Sequence, residues 1–454
     1  MEKNAMIHWK EYYDSRKISL AEAATKIKSN DTVVVAHATG EPSAVLDAIV
    51  ANRKAYRNVE IIHFVCMGKG EYCLPENKAY FRHNSWFAGG LAREAIGDGR
   101  ADFTPVYLSQ SSGLFRGMKG SLDVFLGHVS TPDKNGFCSF GVSVDYERAA
   151  METAALKIVQ VNKYMPRSLG DSFVHVSEID YFVEQDAPII ELGRPVLTNV
   201  EKAIGRNCAA LVHDGDTLQL GIGSLPDAVL LFLEDKKDLG IHSEMISDGV
   251  MDLMKAGVIT NRRKNFNNGK AVVTFAMGSR EFYEFMDDNP IFQMMRAEYV
   301  NNPYIIGQND HMVSINSCVE VDFSGQLSSE SVGAKQISGT GGQVDFIRGA
   351  GISKGGKSII VIPSTAQGGK KSKIVPSFAA GTVVTCGRCE PDYIVTEYGA
   401  AYLKGKCVRL RAKELIKIAH PDFRKELAAA WEEIFRMRLD RAEILPQYAA
   451  VSTT

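Results

Sequence analysis

The chain of 454 residues lacks an excess of either charge: 52 Lys and Arg stand against 54 Asp and Glu, a net charge of -2. That balance gives no overall pull toward a polyanion, so neither a nucleic-acid binder nor a protein held on an anionic membrane is expected. Long hydrophobic runs are missing as well. No window reaches the ~18 uncharged apolar residues that suggest a spanning helix, and Met1 to Ser19 carry charges throughout in place of an apolar signal core. A cytoplasmic location is the expectation. The eight cysteines, at 66, 73, 138, 208, 318, 386, 389 and 407, are too dispersed for a disulfide-stapled secreted domain, and reduced thiols are expected. Metal-ligand spacing is absent too. Cys386-Gly-Arg-Cys389 has no second CxxC or HxxxH beside it, the ten histidines fall in no HExxH, and no metal site is expected.

What is present suits a packed globular body: 45% hydrophobic and 23% charged residues, in a chain longer than one core ordinarily supports. Two domains are expected. Short β-branched runs alternate with amphipathic segments, as in Asp31 to His37 before Glu41 to Lys54, or Gly269 to Gly278 before Ser279 to Asp288. This alternation predicts an α/β fold with mainly parallel sheets. A weak internal repeat supports two similar open α/β domains. At an offset of 185, Ala24, Asp31 and Thr32 match Ala209, Asp216 and Thr217; one residue out of step, Pro42-Ser-Ala-Val-Leu46 matches Pro226-Asp-Ala-Val-Leu230. The join is expected near Ile189 to Pro195, giving domains of 1–190 and 191–454.

Three segments of the second half carry candidate chemistry. The strand Thr217 to Leu220 runs into Gly221-Ile-Gly223-Ser224-Leu-Pro226, where a proline suited to a first helical turn suggests N–H groups facing the loop, ready for an anion. The third glycine of GxGxxG is missing, which weighs against a nicotinamide-dependent reductase. Next, Glu244 stands in an otherwise uncharged stretch, His242-Ser-Glu-Met-Ile-Ser247, where shielding from water makes a carboxylate an effective nucleophile. A Glu beside Ser and His is also an ordinary hydrogen-bonded structural group, so its neighbours decide. The glycine turn Ser338-Gly-Thr-Gly341-Gly342-Gln343 offers backbone N–H groups to a developing oxyanion, or is simply tight. Lys354, Lys357, Lys370, Lys371 and Lys373 lie among small residues, a cradle for a phosphorylated handle or a solvated loop.

His242 to Gly249, Gly339 to Ala350, Lys354 to Ile360 and Thr396-Glu-Tyr-Gly399 together resemble the acetyl-CoA hydrolase/transferase family, over nearly the whole chain. The resemblance implies a class I CoA-transferase with its active site in the cleft between two similar domains. It makes Glu244 the glutamate that carries acyl and CoA groups in turn. The CoA and acyl pocket would draw on Gln219, Gly221, Gly223, Ser224, Gly341, Gly342 and Gln343, with Lys370 on the phosphorylated end. Asn301-Asn302-Pro303 resembles the segment whose asparagine helps bind the acyl carbonyl, and Asn302 is the expected one. Coenzyme A is implied as substrate, with no permanently bound cofactor; acyl-CoA and short-chain carboxylates such as acetate, butyrate or 4-hydroxybutyrate are the implied partners. A homo-oligomer is implied as well. Met67-Gly-Lys-Gly70 and Ser109-Gln-Ser-Ser-Gly113 offer loops that close the pocket, or ordinary connections. Hydrolysis, with water as acceptor, and non-catalytic acyl-CoA binding are the alternatives.

Overall fold

The computed structural model describes residues 9–439 except Ile222. The first half builds a sheet from β1 (Thr32–Val35), β2 (Val59–His63), β3 (Phe81–Ser85), β4 (Ala101–Phe103), β5 (Val124–Val129), β6 (Leu156–Val161) and β7 (Tyr181–Glu184). Its spatial order is β4-β3-β2-β1-β5-β6-β7, and every pairing is parallel. Strands of a parallel sheet are covered on both faces, which is why all six residues of β5 are buried.

The second half repeats the plan. Its strands are β8 (Thr217–Leu220), β9 (Gly240–Ile246), β10 (Ala271–Ala276), β11 (Phe292–Met294), β12 (Met312–Ser317), β13 (Lys357–Val361), β14 (Tyr393–Thr396) and β15 (Gly399–Tyr402). They lie in the order β11-β10-β9-β8-β12-β13-β14-β15, so the first seven positions correspond one to one with the first sheet. Only β15 is antiparallel. The helices that open the two repeats start alike: Ser19 and Glu22 form a capping box before Leu20–Thr25, and Thr198 and Glu201 form another before Asn199–Ala209. The expected division at 190/191 falls in residues 185–198, which contain neither helix nor strand.

Register carries the correspondence to single residues. Thr32 pairs with Glu60 and Thr217 with Gly240, so Glu244 on β9 answers to Phe64 just beyond β2. Phe64 is a core aromatic, packed at 5.3 Å against Tyr146 and 5.4 Å against Trp86. The carboxylate therefore belongs to one half only.

The halves meet along a broad junction. Ala276 N–H donates to Val142 O at 2.8 Å, Val144 N–H to Thr274 O at 2.9 Å, and Ala297 N–H to Asp145 O at 2.9 Å. Gly170 lies against Met294 with φ +116, so close that a Cβ there would stand 2.2 Å from Met294 O. One apolar core runs through both halves, taking Phe125 and Tyr146 from the first and Phe275 and Met294 from the second. Among the described residues no helix is long and apolar enough to cross a membrane.

Candidate active site

Glu244 lies on β9, the strand next to the central β8, with buried residues on either side in sequence. The strand is fixed around it: Ser243 Oγ accepts from Leu220 N–H at 3.2 Å and donates to Met245 O at 2.7 Å, while Met245 pairs with Phe275. The Glu244 side chain keeps an intermediate exposure. Its Oε2 accepts from Asn301 Nδ2 at 2.7 Å, and Asn301 itself is fully buried.

The glycine turn closes over this carboxylate. A Cβ on Gly342 would stand 1.8 Å from Glu244 Oε2 and 2.1 Å from Asn301 Nδ2. Gly342 has an ordinary φ of -99, so glycine is required there for room. At Gly341 the reason differs, because φ +52 is left-handed backbone. The first half holds the turn in place: Phe87 packs on Gly339 and Gly341, Leu108 N–H donates to Gly341 O at 3.0 Å, and Ser109 donates to Asp345 from N–H at 3.1 Å and Oγ at 2.8 Å. The site is thus built by both halves.

Burial pushes the Glu244 carboxyl up to about 7, opposed by the Asn301 hydrogen bond and reinforced by the negative charge of Asp345. Asp345, also buried, is pushed up to about 7 in the same way, with Ser109 pulling it down. A second polar cluster, in the first half, acts on Glu244 through the charges of His37 and Asp145. His37 Nδ1 lies 2.9 Å from Asp145 Oδ2, and the His37 N–H donates to Glu147 Oε1 at 3.1 Å; all three residues are buried. Burial, the largest influence, lowers the His37 pKa, but the charge and hydrogen bond of Asp145 together with the charges of Glu147 and Glu244 make the net shift upward. His37 Nε2 and Glu147 Oε2 are buried without a hydrogen-bond partner.

Of the residues singled out in the sequence, Gly341 and Gly342 touch or approach Glu244, and Gln343 opens the next helix with its Nε2 buried and unpartnered. Asn302 is not the asparagine on Glu244. Its side chain accepts from Tyr304 N–H at 3.0 Å and caps the helix Pro303–Ile306, so the amide on Glu244 is that of Asn301. A signal was available: an Asn directly before Pro reads as an N-cap, which leaves its neighbour free. Gln219 does not reach Glu244 by any hydrogen bond; its amide is engaged across the sheet by Ser314 at 2.8 Å and by Asn316 at 3.0 and 3.2 Å. Gly221 follows the end of β8, and Gly223, at φ +103, turns the chain into the helix Ser224–Leu231, with Ser224 beside Glu201. Lys370 is exposed on the turn between the short strands Thr365–Ala366 and Lys371–Ser372.

His37, Asp145, Glu147 and Asp345 were not singled out. Asp145 and Glu147 follow the uncharged run Phe140 to Val144, a partial signal, although Arg148 comes directly after them. Ser109 sits at the junction instead of in an ordinary connection.

Among the described residues, Glu41, His63 and Cys66 bring ligand-type atoms within 4.8 Å of one another. His63 Nε2 lies 3.1 Å from Ala36 O, which can only accept, so this nitrogen carries the proton; Nδ1 then accepts from Tyr72 Oη at 2.9 Å. Both ring nitrogens are thereby occupied, and the cluster does not suit a metal. Cys386 is buried and donates to Glu390 Oε2 at 3.1 Å, whereas Cys389 is exposed. A cavity of about 210 Å³ lies elsewhere, lined in part by Arg194, Asp227, Asp248 and Asp252.

Residues 1–192 match the model of the acetyl-CoA hydrolase/transferase N-terminal domain, and residues 278–431 match that of the C-terminal domain. The chain belongs to the acetyl-CoA hydrolase/transferase family. Within reach of that family, it is 56% identical to a 4-hydroxybutyrate coenzyme A transferase of Clostridium kluyveri, over 94% of this chain and 100% of the relative. A butyryl-CoA:acetate CoA-transferase of Anaerostipes caccae is 38% identical over 92% of this chain and 96% of its own length. Among solved structures, a 4-hydroxybutyrate CoA-transferase from Porphyromonas gingivalis superposes with a TM-score of 0.81 at 41% identity, covering 94% of this chain and 100% of that one. For an acetyl-CoA hydrolase/transferase, the arrangement around Glu244 is chemically apt. It joins a part-exposed carboxylate of raised pKa to one amide donor and sets the backbone of the glycine turn directly against it.

Proposed function

We propose that the protein is a CoA-transferase that exchanges CoA between a short-chain acyl-CoA and a short carboxylic acid through a glutamyl-CoA thioester on Glu244. The observation that carries this reading is the Glu244 carboxylate itself, raised to about 7 by burial, held at 2.7 Å by Asn301 and enclosed by Gly342. Poor solvation strengthens a carboxylate as a nucleophile, and a site that excludes water protects the intermediates that follow.

The reaction balances without ATP or metal. Glu244 attacks the thioester carbonyl, forming a mixed anhydride and releasing CoA thiolate. The thiolate attacks the glutamyl carbonyl, which frees the first carboxylate and leaves glutamyl-CoA. An incoming carboxylate attacks that thioester, forming a second anhydride and CoA thiolate again. The thiolate then takes the new acyl group and restores the Glu244 carboxylate. Each tetrahedral intermediate needs donors aimed at its oxyanion, and the Asn301 amide with the Gly341 and Gly342 N–H groups fills that role.

The 56% identity to the Clostridium kluyveri enzyme favours 4-hydroxybutyrate as one acid, with acetyl-CoA or butyryl-CoA as donor. Incubation with acyl-CoA followed by peptide mass mapping tests the nucleophile. A CoA-sized adduct on the Glu244 peptide, absent in Glu244→Ala, is expected; an adduct elsewhere, or full exchange by the variant, refutes the assignment. A panel of donors against acceptors, with free CoA release measured alongside, fixes the substrates and separates transfer from hydrolysis.

A further inference from the structure

The amide that holds Glu244 sits on a slight support. Asn301 closes the helix Ala297–Val300, and its N–H donates to Ala297 O at 2.8 Å. Four residues make a single turn, and helices shorter than ~12–15 residues are marginal by themselves. Where this turn lies is therefore set by the neighbours that grip it. From its own half, His242 holds the last residue, donating through Nε2 to Val300 O at 2.9 Å. The opposite end is held from the other half of the chain. Ala297 N–H donates to Asp145 O at 2.9 Å, and Arg296, just before the turn, pairs with Asp171. Glu298 receives two bonds from Arg116, Nη1 to Oε2 at 2.6 Å and Nη2 to Oε1 at 2.8 Å.

Arg116 has a firm base for that contact. It lies in the last turn of the helix Ser111–Gly117, next to Phe115, which is fully buried and stacked on Trp86 with ring centroids 4.5 Å apart. A guanidinium paired fork to fork with a carboxylate fixes orientation as well as distance, which a lysine ammonium does not. Arg296 Nη1 adds a contact to Glu298 Oε1 at 3.3 Å. Arg116 and Glu298 are both partly exposed, so water screens their attraction and the pair adds little to stability. Its effect is on position.

We propose that Arg116 and Glu298 are positioning residues that clamp the Ala297–Val300 turn and so aim the Asn301 amide at Glu244, with the first half setting the geometry of a hydrogen bond made wholly within the second. This inference rests on the function proposed above. Hydrogen bonds weaken steeply when misaligned. Once the clamp is loosened, Asn301 drifts, the oxyanion loses an aimed donor, and the Glu244 carboxylate loses the contact that favours its charged form. Asp345, Asp145 and His37 also act on Glu244 by charge, and all three remain in the variants below.

Arg116→Gln and Glu298→Gln are compared with the parent by acyl-exchange kinetics across pH. The glutamyl-CoA adduct is recorded first in the parent; if it does not form there, the proposed function fails and this positioning with it. Given the adduct, each variant is expected to lower kcat about tenfold, part of the ~100-fold that a misplacement of about 1 Å costs, with KM within about twofold. Each should also move the acid limb of the profile up by about half a pH unit. The shared direction is decisive. Arg116→Gln removes a positive charge and Glu298→Gln a negative one, so a direct field on Glu244 would move the two limbs apart. In an Asn301→Ala background, Arg116→Gln should cost nothing further, because the clamp acts through that amide. An unchanged kcat in either variant, limbs that move apart, or a full additional loss in the Asn301→Ala background overturns the positioning, while the adduct leaves the proposed function standing.

Discussion

Gly342→Ala adds one methyl group at a place where the backbone accepts any residue. At φ -99 alanine carries no conformational penalty, so the whole effect comes from the space the methyl would occupy. That space holds Glu244 Oε2 at 1.8 Å and Asn301 Nδ2 at 2.1 Å. An ordinary contact needs about 3.4 Å or more, so the carboxylate and the amide must each retreat by more than about 1 Å. Misplacing a reacting group by about 1 Å costs on the order of 100-fold in rate, while overpacking of this kind costs about 1–3 kcal/mol of stability. Acyl-exchange turnover is therefore expected to fall about 100-fold or more in a protein that still folds, with thermal unfolding measured on the same preparation. Gly341→Ala makes the control: its methyl would lie 3.8 Å from Glu244 Oε1, and the φ of +52 turns the cost toward backbone strain, about 1–2 kcal/mol. A folded Gly342→Ala protein that exchanges acyl groups within twofold of the parent refutes the placement of Gly342 against the nucleophile.

The two adjacent asparagines should separate cleanly. Asn301→Ala removes the donor to Glu244 and is expected to lower turnover about 100-fold, whereas Asn302→Ala loses a helix cap, about 1 kcal/mol of stability, with turnover near the parent's; the reverse pattern in steady-state kinetics rejects the assignment. Because the nucleophile must be ionised and its pKa is raised to about 7, exchange should increase with pH through an apparent value near 7. A profile flat from pH 5 to 8 contradicts this. Stability should run the other way. A carboxyl raised from 4.5 to about 7 binds its proton more tightly in the folded chain, so its contribution is present below pH 4.5 and is lost as pH climbs through 7. Glu244→Gln removes that loss, so its melting temperature should exceed the parent's at pH 8 and match it near pH 4.5; the full shift is equivalent to about 3 kcal/mol as an upper figure. An equal Tm at pH 8 argues against a strained carboxylate.

The sequence by itself determined the elements and much of their order. Alternating apolar runs with Gly and Pro turns settle parallel α/β structure because each element must bury its own face locally. The repeat joining Thr32 to Thr217 already held the symmetry that the two seven-strand orders display in full. Glu244 was legible as a candidate because it stands in an uncharged stretch, though only the resemblance of the surrounding motifs to the family gave it the nucleophile's role, and Gly341 and Gly342 were legible as a tight turn. Which neighbours surround Glu244 was decided only in three dimensions. Asn301 is 57 residues away, Asp345 is 101 away, and Ser109, 236 residues before Asp345, comes from the other half of the chain. Contacts at such separations follow from how whole sheets pack, and no local pattern encodes them. The same holds for the reason behind each glycine: position 341 needs a left-handed backbone and position 342 needs empty space, a distinction visible only when the carboxylate stands beside them.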